Sequence, residues 1–276
     1  MPSIPFADLA LSQRLERAEA TSAVRNVEAR ARVTPERGAV WIAVAGAYAM
    51  FDGPQSPVTQ TFGLGLFQPP TADDVSTLES FFTERGAPVF HEVSPLADAQ
   101  TFTLLNERGY QPIEFTSVMY RGLEGQDGQE GRAGLEGQNG TVTVRRAGLT
   151  DVEIYAKTAA EGWREFGFAQ FIDDMARVYA ASEQLDLFLA ELDGRAIATA
   201  VLSIYDGVAH LAGASTIPDG RRRGAQNALL DARLRFAAER GCDLALMGAA
   251  PGSGSQRNAE RNGFRIAYTR VKWQKR

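Results

Sequence analysis

The feature that most constrains this chain is an order of segments that occurs twice. In the first half ERGAPVFHEV precedes LLNERGYQPIEFTSVMYR, and in the second half ERGCDLALMG precedes RNAERNGFRIAYTRVKWQK. Gly86 and Gly109 lie 23 positions apart, Gly241 and Gly263 lie 22 positions apart, and an aromatic residue follows the second glycine of each pair. Two α/β segments can match by chance, but the shared order and spacing favour a duplicated domain.

A glycine-rich segment, GLEGQDGQEGRAGLEGQNG, separates the two repeats. It has almost no large apolar side chains and therefore cannot repay the entropy of becoming ordered. The chain, at 276 residues, is long enough for two domains of ordinary size. We therefore expect one domain at residues 1–121, a flexible linker at 122–140 and a second domain at 141–276.

The composition argues against several classes of partner. The formal net charge of −5 is unlike that of proteins that bind the phosphate backbone of nucleic acids. The sequence has no run of about 18 apolar residues and no secretory signal. Its single cysteine, Cys242, allows no internal disulfide, which fits a reducing compartment. We expect a cytoplasmic protein that binds neither nucleic acid nor membranes, and the oligomeric state stays open.

The second half predicts an α+β domain. TVTVRRA alternates as a strand, and residues 149–181 contain two helical stretches interrupted around Gly162 and Gly167. The Asp-Gly pairs at 193–194 and 206–207 predict tight turns between antiparallel strands. A helix from about residue 225, the short buried strand DLALM, a helix over 253–262 and a last strand follow. Each repeat is thus expected to form a mixed, mostly antiparallel sheet flanked by helices.

The segment IPDGRRRGAQNALL joins the last antiparallel strand to the next helix. The backbone N–H groups at a helix start have no partner within the helix, and together with the helix dipole they attract anions. Gly224 lets the backbone approach a pyrophosphate, and the three arginines before it offer charge-assisted hydrogen bonds. The segment therefore predicts a phosphate site, with a solvated arginine cluster before an ordinary helix as the alternative.

The order of elements and the letters RRRGAQ resemble the GCN5-related N-acetyltransferase (GNAT) family, whose phosphate loop has the pattern Q/R-x-x-G-x-G/A. The resemblance covers residues 141–276, and Gln226 replaces the small residue expected at the last position of the loop. It implies acetyl-CoA as co-substrate, with the pyrophosphate on the loop, the pantetheine along the strand edge and the thioester between that strand and DLALM. The cofactor-binding residues that it implies are Ser215, Thr216, Arg221, Arg222, Arg223, Gly224, Ala225, Gln226 and Asn258.

The first repeat has TFGLGLFQPPTADD at the position of the loop. Its two prolines have no N–H group, and Asp73 and Asp74 would repel a phosphate. Thr71 followed by these aspartates is typical of a helix N-terminus. We therefore interpret residues 1–121 as a degenerate GNAT-like copy that serves packing or forms one wall of the substrate cleft.

The sequence assigns no catalytic residue. GNAT enzymes often have a tyrosine acid at the position that holds Ala259 here, so the usual acid is missing. His210, Tyr268 and Cys242 each have a simpler interpretation, as a packed or surface histidine, a core or surface tyrosine and a small buried apolar side chain.

Glu161, Trp163 and Glu165 fall between the first two helices of the second half, where this fold admits its acceptor. They line the acceptor pocket or belong to a solvated loop. Two functions follow from these patterns. The favoured one is an N-acetyltransferase that moves the acetyl group of acetyl-CoA to a small-molecule or peptide amine by direct attack, and the alternative is a non-catalytic acyl-CoA-binding regulatory or structural protein.

Overall fold

The protein is described by a computed structural model over residues 5–123 and 142–276. All of the expected linker except Gly122 and Leu123 lies outside the described residues, so its flexibility stays a prediction. The α-helices are α1 Leu9–Val33, α2 Ala72–Thr83, α3 Ala99–Glu107, α4 Val152–Trp163, α5 Ala169–Ala180, α6 Ala225–Glu239 and α7 Gly254–Arg261. The strands are β1 Val40–Val44, β2 Ala47–Phe51, β3 Gln60–Phe62, β4 Phe90–Val93, β5 Tyr110–Gly122, β6 Val142–Arg146, β7 Leu185–Leu192, β8 Arg195–Tyr205, β9 Val208–Thr216, β10 Leu244–Ala249 and β11 Arg265–Lys275.

The chain forms two compact units. Of the described residues, the first unit contains 5–121 together with Leu246–Arg276, and the second contains 122–123 and 142–245. The domain limits at 121 and 141 were predicted from the sequence repeat, and they stay a prediction. The compact units differ from them in one respect, because the C-terminal segment packs with the first half of the chain.

The first unit has the strand order β1-β2-β3-β4-β11-β5, followed by the part of β10 from Leu246 onward. Strand β11 is antiparallel to both β4 and β5, whereas β3 and β4 are parallel. Neighbouring residues of a strand point to opposite faces, and Met50 packs with residues of α1 while Ala49 packs with residues of α2. Helix α1 therefore covers one face of this sheet and α2 covers the other.

A buried ionic cluster holds the C-terminal strand in the first unit. Arg270 of β11 donates hydrogen bonds to Glu16 and Glu19 of α1 and to Glu92 of β4, at 2.8 to 3.1 Å. The Tyr268 hydroxyl also donates to Glu16 Oε1, at 2.9 Å. Burial raises the pKa of Glu16 to about 7, against the opposing effect of Arg270. Together with the antiparallel pairing of β11 with β4 and β5, these contacts join the C-terminal strand to α1 and β4, which lie far from it in the sequence.

The second unit has four antiparallel strands in the order β9-β8-β7-β6. The two predicted Asp-Gly turns are confirmed, with positive φ angles at Asp193, Gly194, Asp206 and Gly207. The two predicted helices of residues 149–181 are also confirmed as α4 and α5, but the break between them falls at 164–168, so Gly162 lies inside α4. These elements confirm the predicted α+β fold class. No helix among the described residues combines the length and the apolar character that crossing a membrane requires.

Candidate cofactor site

The segment between β9 and α6 exposes an uncapped helix start. Strand β9 ends at Thr216, a short turn covers Pro218–Gly220, and α6 begins at Ala225. Gly224 is the N-cap residue with φ +83°, no side chain caps the helix, and its first turn contains no acidic residue. A helix start of this kind attracts anions through its backbone N–H groups and through the positive end of the helix dipole.

Three arginines lie next to this helix start. Arg221, Arg222 and Arg223 are all exposed to solvent. Arg221 Nη1 donates to Glu165 Oε2 at 2.7 Å, in a pair whose side chains are 42% and 53% exposed. Solvent-exposed ion pairs of this kind are weak. The Arg221 guanidinium can therefore leave Glu165 and bind another anion.

Gln226 does not point toward the helix start. Its Nε2 donates to the Ser215 carbonyl oxygen at 3.2 Å and to Thr216 Oγ1 at 2.7 Å. The side chain thus joins the first turn of α6 to the end of β9. This orientation agrees with an anion site made of backbone N–H groups, in which the Gln226 side chain takes no part.

Ser215 is buried at the end of β9. Its hydroxyl lies 3.1 Å from Thr199 Oγ1 and donates to the Ala159 carbonyl oxygen at 3.3 Å. A Cβ on Gly162 would lie only 2.8 Å from Ser215 Oγ and 3.1 Å from the Thr216 backbone nitrogen. The absence of a side chain at Gly162 therefore allows α4 to approach the end of β9 closely.

Sequence reasoning missed Arg233, which anchors α6 to the sheet. This arginine is buried, and its Nη1 donates to the carbonyl oxygens of Val201 at 3.0 Å and Ala212 at 3.4 Å. The register between β8 and β9 shifts at this point, and the guanidinium satisfies carbonyl groups beside the irregularity. Burial lowers the pKa of Arg233 to about 10, so it stays charged at neutral pH. The only sign of this role in the sequence is the position of Arg233 between Leu229 and Leu234, two apolar residues that the structure shows to be buried.

The predicted cofactor-binding residues divide between the two units. Ser215, Thr216 and residues 221–226 come together in the second unit, as described above. Asn258 lies on α7, whose residues belong to the first unit. Ala259, at the position of the missing tyrosine acid, is buried beside it.

The other candidate residues, Cys242, Tyr268 and His210, are buried or half-buried in the fold. Cys242 is buried, and the pKa of its thiol is raised to about 11 by desolvation, so the thiol is protonated at neutral pH. Tyr268 is buried in the first unit, where burial and the nearby Glu16 raise its pKa. His210 lies half-buried on β9 opposite Ser203. Within residues 5–123 and 142–276, no group of His, Cys, Asp and Glu side chains has the arrangement of a metal site.

In the first unit, the helix start that the predicted repeat places opposite α6 is closed by its own side chains. Thr71 caps α2, and its hydroxyl accepts a hydrogen bond from the Asp74 backbone N–H at 3.1 Å. The Asp74 carboxylate accepts hydrogen bonds from the Thr71 backbone N–H at 2.8 Å and hydroxyl at 2.7 Å. These hydrogen bonds lower the pKa of Asp74, which keeps its side chain a carboxylate. A negative charge of the chain itself therefore already occupies this helix start. The predicted N-terminal signal of α2 is thus confirmed.

The loop before α2 is filled by its own apolar residues. Leu64 and Leu66 are buried, and the Leu66 carbonyl accepts a hydrogen bond from Gln13 at 2.8 Å. Phe67 packs so closely on Gly46 and Gly63 that a Cβ on either glycine would lie 2.6 to 2.7 Å from it. The loop therefore forms part of the packing of the first unit.

Comparison with known proteins agrees with this geometry. The family model for the acetyltransferase (GNAT) domain matches residues 140–252. Residues 140–252 are thus similar to an acetyltransferase (GNAT) domain, in agreement with the resemblance seen in the sequence. No protein of curated function matches the chain in sequence.

Solved structures share the fold over most of the chain. A GCN5-related N-acetyltransferase from Kribbella flavida is 18% identical, with a TM-score of 0.64 over 93% of this chain and 95% of its own. A GCN5-related N-acetyltransferase from Sphaerobacter thermophilus is 17% identical, with a TM-score of 0.51 over 73% of this chain and 66% of its own. A tandem GNAT protein from the clavulanic acid biosynthesis pathway is 16% identical, with a TM-score of 0.52 over 74% of this chain and 67% of its own. These likenesses support the GNAT fold and its tandem form.

Proposed function

We propose that this protein is an acetyl-CoA-dependent N-acetyltransferase that acts on a small-molecule amine. The observation that carries the proposal is the uncapped start of α6 behind three exposed arginines, inside the segment that matches the GNAT domain model. The family match supports the chemistry, and the loop supplies groups that suit a diphosphate.

The residues of the second unit take distinct roles in this proposal. The first-turn N–H groups of α6 bind the pyrophosphate of CoA, and Gly224 leaves room for its approach. Arg221, Arg222 and Arg223 add positive charge at the rim. The backbone at Ser215 and Thr216 pairs with the pantetheine arm. Asn258 stays a predicted pantetheine contact.

The reaction is a direct transfer. The neutral amine nitrogen attacks the thioester carbonyl carbon, and the carbon–sulfur bond breaks with its electron pair leaving on sulfur. The nitrogen loses one proton to give the neutral amide, and the thiolate takes up one proton to give the free thiol of CoA. Positioning the two reactants is itself a large source of rate enhancement in such reactions. We assign no general acid or base, and Cys242 is not a nucleophile because its thiol is buried and protonated.

We propose further that residues 1–121 are a GNAT-like copy that no longer binds CoA. The capping of α2 by Thr71 and Asp74 and the buried loop residues Leu64 and Leu66 support this view. The single cysteine supports a reducing, cytoplasmic site of action.

Titration calorimetry of the full chain with CoA tests this proposal. We expect one CoA per chain, and two CoA molecules per chain would contradict the degenerate copy. Thioester consumption with acetyl-CoA and a panel of amines tests the enzyme. Binding of acetyl-CoA without turnover on any amine would instead favour the non-catalytic alternative.

A further inference from the structure

Strand β9 is irregular just before the residues that we propose to pair with pantetheine. Thr199 of β8 lies opposite Ser215, whereas Val201 lies opposite Ala212, so one residue of β8 faces two residues of β9 between these pairs. Such a β-bulge bends a strand and changes the direction of the backbone groups that follow it. The bulge therefore sets how the end of β9 presents its N–H and C=O groups.

Gly213 lies in the bulge and allows its backbone geometry. Its φ is +56°, in the left-handed region that favours glycine, and a Cβ here would lie only 2.9 Å from Cγ2 of Val201. A glycine has no side chain with which to bond the carbonyl groups around it. The sequence at this position thus permits the bulge, and other residues must fix it.

Two buried side chains bind the carbonyl groups at the bulge. Arg233 of α6 donates from Nη1 to the carbonyl oxygens of Val201 at 3.0 Å and Ala212 at 3.4 Å, and so joins both strands at one point. Tyr155 of α4 donates from its hydroxyl to the Ala200 carbonyl oxygen at 3.2 Å. The carbonyl groups on both strands of the bulge therefore have partners from the helices.

The charge of Arg233 has no carboxylate partner among the described residues. Its Nε donates to the Leu229 carbonyl oxygen at 3.2 Å, so its hydrogen bonds all go to backbone oxygens. Burying a charge is costly, and apolar residues often replace buried charged residues with no loss of stability. Filling space therefore does not account for an arginine here, whereas fixing the carbonyl groups of the bulge does.

We propose that Arg233 is a positioning residue for the pantetheine arm of CoA. By fixing the bulge, its guanidinium fixes the direction of the backbone at Ser215 and Thr216, whose N–H and C=O groups pair with the arm. Arg233 acts from inside the second unit and does not touch the cofactor. This inference rests on the proposed function, because it concerns what holds one part of the CoA site in place.

Two ligands separate the pantetheine arm from the pyrophosphate. CoA contains both, whereas adenosine 3′-phosphate 5′-diphosphate is the nucleotide half of CoA and has no arm. Titration calorimetry of the full chain measures the affinity for each ligand. Wild-type protein should bind CoA more tightly than the nucleotide, because the backbone of β9 forms hydrogen bonds that only the arm can accept or donate.

Arg233→Met removes the guanidinium and keeps a long, unbranched side chain. It should lower CoA affinity about tenfold and nucleotide affinity less than about twofold, because the helix start at Gly224 binds the pyrophosphate without help from the bulge. Arg233→Lys keeps a charged donor for the carbonyl groups, so its CoA affinity should lie between those of Arg233→Met and the wild type. Rescue by lysine is not expected if Arg233 only fills space.

Two further variants test whether the loss comes from the bulge. Tyr155→Phe removes the hydrogen bond to Ala200 and should lower CoA affinity about threefold, with little change for the nucleotide. Leu189→Ala is the matched control, because Leu189 is buried on β7, which β8 separates from β9. It should destabilise the second unit without changing the ratio of the two affinities.

The outcomes distinguish this inference from the proposed function. If Arg233→Met lowers both affinities by the same factor, the positioning role is wrong and the CoA site stands. If Arg233→Met does not fold, Arg233→Lys and Tyr155→Phe decide, and wild-type affinity ratios in both would overturn the inference. Wild-type protein that binds CoA no more tightly than the nucleotide would also overturn it. If wild-type protein binds neither ligand, the proposed function itself falls.

Discussion

Helices α2 and α6 lie at matching places in the two predicted repeats, but they begin in opposite ways. At α2 the Thr71 hydroxyl and the Asp74 carboxylate form a capping box, which satisfies the helix start from within the chain. At α6 the N-cap is Gly224, no side chain caps the helix, and no acidic residue follows in the first turn. From this comparison we expect the start of α6, and not the start of α2, to bind an external anion, because at α2 the Asp74 carboxylate already occupies the helix start.

The loops before the two helices also differ, because one is buried in its unit and the other is exposed to solvent. The loop before α2 buries Leu64 and Leu66, so it contributes to the core of its unit. The loop before α6 instead exposes three consecutive arginines. One loop has become part of the packing, and the other presents charge to solvent.

The largest expected effect comes from closing the open helix start. Gly224 has φ +83°, a conformation that β-branched residues strongly disfavour, and no atom of the described residues lies within 4 Å of where its Cβ would be. Gly224→Val should therefore distort the loop and obstruct the phosphates, and lower CoA affinity about thirtyfold, or ~2 kcal/mol. Calorimetric titration with CoA measures this loss.

Gly241 provides the matched control at the other end of α6. It has φ +77° and equally open surroundings among the described residues. Gly241→Val should lower stability through the same backbone strain and leave CoA affinity unchanged. If Gly224→Val stays folded and binds CoA as tightly as the wild type does, the assignment of this segment as a phosphate-binding loop is wrong.

A smaller effect is expected at the closed helix start. Thr71→Ala removes the N-cap hydroxyl of α2 and should lower the free energy of unfolding by about 1 kcal/mol, with no change in CoA affinity. Denaturant unfolding and CoA titration measure the two quantities. A change in CoA affinity would mean that this helix start takes part in binding.

The charge of Asp74 makes part of this stability depend on pH. Because its hydrogen bonds lower the pKa of Asp74 in the folded protein, its contribution is present above pH ~4 and is lost as the pH falls through the folded pKa. The midpoint of thermal unfolding should therefore differ between wild type and Asp74→Asn at pH 7, and the difference should shrink on acidification. An equal difference at all pH values would contradict the carboxylate's role.

The smallest effect is expected for a single arginine at the open helix start. Arg223→Ala should weaken CoA binding about twofold, or ~0.5 kcal/mol, because an exposed charge contributes little through solvent. The loss should shrink further as salt screens the interaction. CoA titrations at low and high ionic strength measure it, and a loss that does not depend on salt would indicate a structural role for Arg223.

Much of the fold follows from local sequence. The Asp-Gly turns, the glycine after α6 and the threonine-aspartate start of α2 each act within a few residues, so the sequence predicts them directly. The arginine loop is predictable for the same reason, since Gly224 and its neighbours are consecutive in the chain.

Contacts between distant residues were decided only by tertiary structure. The C-terminal segment joins the first unit through the pairing of β11 with β4 and β5 and through the ion pairs of Arg270 with Glu16, Glu19 and Glu92. Gln226 bonds back to β9, and Glu165 reaches Arg221 across 56 positions of sequence. Local propensity has no information on such pairs, because the free energy of a buried ion pair or a side-chain hydrogen bond depends on which partners the whole fold brings within reach.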